Sequence, residues 1–141
     1  MLEWHCIFYR LGAAMLIGAL IGIYLERHGK PAGMRTLGLV GLASAVAVMA
    51  VVEDPTADVS RVIQGIITGV GFLGAGVILH RAREGAAVHG LTTAATVWFT
   101  AALGVLCGLG AWRVLAVALV FTVILLVAGP MIEKRVAIPD R

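Results

Sequence analysis

The chain alternates long apolar runs with short polar stretches, and that pattern predicts helices. Apolar runs fall at 7–25, 37–52, 62–79, 91–109 and 114–132. Crossing a bilayer takes about 20 apolar residues per helix, so each run reads as one span. The second is the shortest, about 24 Å long at the helical rise. The polar stretches between them carry turn and cap residues. In 26–36, ERHGKPAGMRT, Pro31 fixes φ, Gly33 can take a positive φ, and Thr36 is placed to cap the second helix. In 53–61, EDPTADVSR, Pro55 stops one helix and Asp58 or Ser60 starts the next. The expected fold is all-α: a compact bundle of five transmembrane helices forming a single domain over 1–141.

The third run, VIQGIITGVGFLGAGVIL, carries Gly65, Gly69, Gly71, Gly74 and Gly76. Glycine in a membrane helix lets a neighbouring backbone approach. At about 100° per residue, Gly65, Gly69 and Gly76 share a face with Phe72, while Gly71 and Gly74 lie nearly opposite. Small residues on two sides predict neighbours on two sides. The third helix is therefore expected at the centre of the bundle, with Gly69→Leu strongly destabilising. Gly18 and Gly22 form a second small-residue pair in the first helix. Thr92, Thr96 and Thr100 sit four residues apart in the fourth, bonded either to a carbonyl one turn back or to the glycine-rich helix.

Composition agrees. Of 141 residues, 60% are hydrophobic and 13% charged, against roughly 45–50% and 25% in soluble domains. The charge is asymmetric. Eight Lys and Arg (Arg27, Lys30, Arg35, Arg81, Arg83, Lys134, Arg135, Arg141) fall on one side and three (Arg10, Arg61, Arg113) on the other. The positive-inside rule then puts the N-terminus outside and the C-terminus in the cytoplasm. The opening residues do not read as a secretory signal. Cys6 and Cys107 have no metal-ligand spacing; they read as buried thiols, or as a disulfide if both lie near one face. Nothing in the modest net charge of +3 points to nucleic acid.

The chemistry on offer is sparse. There is no nucleophile triad, metal-ligand cluster or phosphate loop, so an enzyme is not expected and no cofactor is implied. His5, His28, His80 and His89 fall at span ends or in loops. Beyond Arg10 at the head of the first helix, the apolar runs hold no ionisable residue, whereas many ion pathways place such residues at depth. Glu26 and Arg35 bracket the first turn with opposite charges. A cation at a helix N-terminus calls for compensation. Either the two form a bridge, or Arg35 meets lipid phosphate and Glu26 meets water. The basic turns suit acidic headgroups or simply signal topology. A faint repeat links Gly18-Ala19 to Gly74-Ala75 and Gly33-Met34-Arg35-Thr36 to Gly90-Leu91-Thr92-Thr93. If real, it relates two helical hairpins in parallel.

ERHGKPAGMRT, DPTADVSRVIQG, GVGFLGAGVIL and HGLTTAATVW, in that order, resemble the membrane domain of the MgtC/SapB family. The resemblance covers about 11–127 and assigns the family pattern to Glu26, Pro31, Gly33, Arg35 and Thr36. It continues through Asp54, Pro55, Arg61, Gln64 and Gly65, then Gly69, Gly71, Phe72, Gly74 and Gly76, and ends with Gly90, Leu91, Thr92, Thr93, Ala94 and Trp98. It implies a five-span protein of the bacterial inner membrane. It also implies a link to low-magnesium adaptation and intracellular survival. The primary expectation is a regulatory protein that acts on other membrane proteins, the ATP synthase among those the resemblance suggests. The alternative is a transporter of magnesium or another cation, although the residues specify no metal site. Self-association is left open. Some members continue into a cytoplasmic domain beyond the last span; from this sequence, which runs to Arg141, none is expected.

Overall fold

The computed structural model describes residues 3–82 and 90–136. They form five α-helices: α1 Trp4–Arg27, α2 Met34–Met49, α3 Val59–Ala82, α4 Leu91–Leu109 and α5 Trp112–Val136. No strand occurs among the described residues. Four helices, α1, α3, α4 and α5, are long and apolar enough to cross a membrane. The protein is a multi-pass, all-helical membrane protein. α2 is shorter, at 16 residues. Its apolar path continues through Val52, because Ala50 N–H donates to Val46 O and the Val51 and Val52 amides both donate to Val48 O.

Glycines end two of the helices. Gly29 (φ +67) follows α1, with Gly29 N–H bonded to Glu26 O and Lys30 N–H to Leu25 O. Gly110 (φ +71) ends α4 with the same pair of bonds, to Cys107 O and Leu106 O. Both are Schellman closures, which need a left-handed residue. In the first turn that residue is Gly29; the expected Gly33 has φ −99. Thr36 does not cap α2. The N-cap is Gly33, so Thr36 lies inside the first turn.

The helices α1, α2 and α4 pack backbone to backbone. Along α1 and α2 the register is antiparallel: Gly18 lies on the Leu37 carbonyl, and a Cβ on Gly22 would stand 2.6 Å from Gly33 O. A Cβ on Gly41 would stand 2.7 Å from Ala14 O. Along α2 and α4 the register is parallel: Gly104 lies on Gly41 O, and a Cβ on Gly108 would stand 2.8 Å from Ala45 O. Leu37, Ala45, Val48, Val97, Ala101, Leu103 and Cys107 fill the seam, each at most 1% exposed.

This arrangement overturns the expected centrality of α3. The most enclosed helix is α4, with eleven of its 19 residues buried. In α3, among 59–78, only Gly74 is buried. Gly65, Gly69, Gly71 and Gly76 have no neighbouring heavy atom within 4 Å of a Cβ position. The expected penalty for bulk at Gly69 loses its basis, because nothing stands there to be displaced.

The two hairpins differ in how closely their helices approach. Gly18 meets residue 37, and Gly74 meets Ala94, its counterpart 57 positions on. Gly22 meets Gly33, and Gly90 approaches Val77 and Ile78. The two hairpins thus share one contact scheme. In the second, Ile78 stands in the place of Gly22, and the approach is looser: a Cβ on Gly90 would stand 3.6 Å from Val77 O. A Cβ on Gly74 would find Ala94 Cβ at a comfortable 3.4 Å.

Residues 112–141 form a compact unit separate from 1–111. Its helix α5 is nearly pure aliphatic, with Val117, Val120, Phe121, Ile124 and Leu125 exposed. Pro130 lies inside it, and the helix continues six residues further, to Val136.

Candidate functional site

The family-pattern residues gather at three places in the α1–α4 unit and do not converge on one pocket. The first is the α1–α2 turn. Glu26, Arg35 and Thr36 are all exposed there. The expected Glu26–Arg35 bridge does not form. Glu26 Oε2 instead accepts the Met34 N–H at 3.4 Å, one of the orphan donors at the start of α2. It lies where a Cβ on Gly33 would be only 2.9 Å away, so a glycine N-cap makes room for the carboxylate. On the same rim, His28 Nδ1 lies 2.8 Å from Tyr24 O, and the Tyr24 and His28 ring centroids lie 4.3 Å apart with the rings tilted by 35°.

At the opposite end is the α2–α3 turn. Asp54 accepts the Thr56 hydroxyl at 2.6 Å and the Thr56 N–H at 2.8 Å. Asp58 caps α3, accepting the Ser60 hydroxyl at 2.6 Å and the Ser60 N–H at 3.0 Å. It also pairs with Arg61 at 3.4 Å. The Thr56 hydroxyl bond holds the Asp54 carboxyl below its ordinary pKa, and the Ser60 bond does the same for Asp58.

The third place is the α3 flank with the start of α4. Gln64, Gly69, Gly71, Phe72 and Gly76 are exposed, Phe72 at 80%. Between α2 and α3 runs an open apolar groove of about 370 Å³, lined by Leu39, Ala43, Ser44, Gly65, Gly69 and Leu73 among others. Gly74 is buried against Ala94. Thr92 and Trp98 are exposed, whereas Thr93 is 1% exposed.

Inside the unit the polar groups are hydroxyls, and most are spent within their own helix. Ser44 Oγ donates to Val40 O at 2.8 Å, Thr96 Oγ1 to Thr92 O at 2.7 Å and Thr100 Oγ1 to Thr96 O at 2.8 Å. The threonine ladder therefore bonds back along α4 and not to α3. Thr93 Oγ1 is buried with no partner among the described residues. No group of three or more His, Cys, Asp or Glu suited to a metal ion occurs among the described residues.

Sequence reasoning missed two features. Arg10 lies within α1, half-buried, and Nη1 donates to Gly108 O at 2.9 Å. A cation there satisfies a last-turn carbonyl of α4 and suits the negative end of its dipole. Gly104 and Gly108, spaced one helical turn apart, bring the α4 backbone against α2.

The sequence model of the MgtC family matches residues 11–135. The chain is 46% identical over 136 residues to protein SrpB of Synechococcus elongatus, covering 88% of this chain and 75% of that one. It is 43% identical over 122 residues to protein MgtC of Salmonella typhimurium, covering 86% of this chain and 50% of that one. It therefore spans three quarters of the one relative and half of the other. No solved structure matches it.

Proposed function

The chain belongs to the MgtC family, and on that premise we propose that it is a regulatory protein of the bacterial inner membrane that acts by contacting other membrane proteins. In this reading the N-terminus lies outside and the C-terminus in the cytoplasm, following the eight-to-three charge asymmetry. It serves adaptation to low magnesium, and the proton-translocating ATP synthase is the first partner to test. It catalyses no reaction and needs no cofactor.

The observation that carries the reading is the closed seam between α1, α2 and α4. Backbones meet there directly at Gly18, Gly22, Gly41, Gly104 and Gly108. Among the described residues, the buried polar side chains of this unit are Ser44, Thr93, Thr96 and Thr100, and three of those four hydroxyls are already bonded to carbonyls of their own helix. Magnesium keeps several waters and usually takes one or two carboxylates; every carboxylate described in this unit is exposed. By contrast, the family-pattern residues Gln64, Phe72, Gly76 and Trp98 face outward, where another membrane component can reach them. The competing reading is a cation transporter.

The test is ATP-driven proton pumping in inverted membrane vesicles, with and without the chain. The reading expects the chain to change the pumping rate, and Phe72→Ala to weaken that change without loss of protein from the membrane. No change at any level of expression would remove the ATP synthase as its partner.

A further inference from the structure

Among the described residues, five buried side chains carry hydroxyls: Ser44, Thr93, Thr96, Thr100 and Thr122. Four of them donate to the carbonyl four residues back in their own helix. Thr93 is the exception. It is 1% exposed, and its Oγ1 has no partner among the described residues. The cause is positional: four residues back from Thr93 lies ahead of α4, which starts at Leu91. A buried hydroxyl is costly to leave unpaired, so the position calls for a ligand.

The surroundings set its chemistry. Helical side chains tilt back toward the N-terminus. That brings the hydroxyl of Thr93, the third residue of α4, to the start of the helix. The first intrahelical bond there runs from Ala94 N–H to Gly90 O, at 2.8 Å. The Leu91, Thr92 and Thr93 amides precede it and have no acceptor within α4. The N-cap Gly90 supplies no side-chain acceptor. The start of α2 makes a useful contrast. It too has a glycine N-cap, and there the Glu26 carboxylate takes the first amide, that of Met34. Among the described residues no carboxylate does this for α4. Three amides, a hydroxyl and the positive end of a 19-residue helix suit an anion with several acceptor oxygens. On one side α3 walls the place, where a Cβ on Gly90 would stand 3.6 Å from Val77 O.

We propose that the start of α4 binds an oxyanion of the phosphate type, with the Thr93 hydroxyl and the first amides of the helix as donors. Inorganic phosphate and the phosphodiester of a lipid both present this chemistry. Thr93 is the contact that a substitution can remove without touching the backbone.

The experiment follows thermal unfolding of the purified full chain in neutral detergent, read by circular dichroism at constant ionic strength. Inorganic phosphate is titrated in one arm and phosphatidylglycerol in the other, with sodium chloride as the balance. A ligand that binds only the folded chain raises the midpoint as its concentration grows. A rise that depends on Thr93 is expected with at least one of the two. Phosphate would mark a free anion, and phosphatidylglycerol alone a headgroup. Thr93→Val keeps the shape and removes the hydroxyl. Without ligand it should melt no lower than the unmodified chain, and it should bind about tenfold more weakly, the usual loss for a hydrogen bond to a charged group. Thr93→Ser should keep the affinity. No rise with either ligand overturns the proposal, and so does equal affinity in Thr93→Val. So does a Thr93→Val chain that melts well below the unmodified one without ligand, which would mean that the hydroxyl is already bonded within the protein.

Discussion

Gly108→Ala tests the seam at a point where the geometry is explicit. The added methyl would lie 2.8 Å from Ala45 O and 3.1 Å from both Ala45 Cα and Val48 Cβ. Ordinary contact begins near 3.4 Å, so α2 and α4 must part by about 0.6 Å, a gap that forfeits a quarter to a half of each dispersion well it opens. The atoms affected are among the best packed in the chain, since Ala45, Val48 and Cys107 are each 0% exposed. Overpacking of a tight core costs about 1–3 kcal/mol. Alanine returns about 1 kcal/mol of helix propensity, which leaves a net loss of up to about 2 kcal/mol. Gly69→Ala is the matched control: it offers the same propensity gain and meets nothing within 4 Å. Unfolding of the two purified variants by SDS in mild detergent, followed by circular dichroism, reads the difference. Gly108→Ala should unfold at lower SDS than the unmodified chain, and Gly69→Ala at the same or higher. If Gly108→Ala proved as stable as Gly69→Ala, the close approach of α2 and α4 would not be holding the fold.

Arg10→Gln removes a charged donor from Gly108 O and should cost about 1–3 kcal/mol in the same assay. Asp58 has its pKa lowered chiefly by the Ser60 hydroxyl, and Asp54 by the Thr56 hydroxyl. A depressed carboxylate contributes above its unfolded pKa and loses that contribution as pH falls through its folded one. Hydrogen exchange at the Ser60 and Arg61 amides should therefore accelerate, relative to α4, only once the pH drops below the ordinary aspartate value of 3.8. Asp58→Asn should flatten that dependence. For topology, a cysteine at Ala57 in a Cys6→Ser/Cys107→Ser background should react with an impermeant thiol reagent in intact cells, and one at Lys30 should not; the reverse pattern would invert the orientation.

Much of the architecture was legible because apolar run length and turn chemistry are local. The α4 run, 91–109, coincides with its helix, and Asp58 caps α3 as its position suggested. Centrality was not legible. A glycine permits close approach, but closeness also depends on what faces it, and Gly65, Gly69, Gly71 and Gly76 face no atom within 4 Å. The role of Glu26 was half legible: its charge and position marked it as a partner for the start of α2, but whether it meets Arg35 or a backbone amide depends on the room left by Gly33. In the sequence Arg10 is one of three cations on the outer side, at the head of the first helix, where a lone cation usually snorkels. Its partner is a carbonyl 98 residues away, which no local pattern reveals.

The proposal that the chain acts by contact and not by conduction stands or falls most directly on magnesium flux. Purified chain would be reconstituted into proteoliposomes loaded with a magnesium-sensitive dye, with empty liposomes and an unrelated helical membrane protein alongside. An inward magnesium gradient would be applied with and without a membrane potential. With its seam closed at Gly41, Gly104 and Gly108, the chain should give uptake equal to the controls at every protein density. Uptake that rises with protein density, saturates with magnesium and changes in Gly104→Ala would contradict the account and establish a cation pathway through the α1–α2–α4 unit.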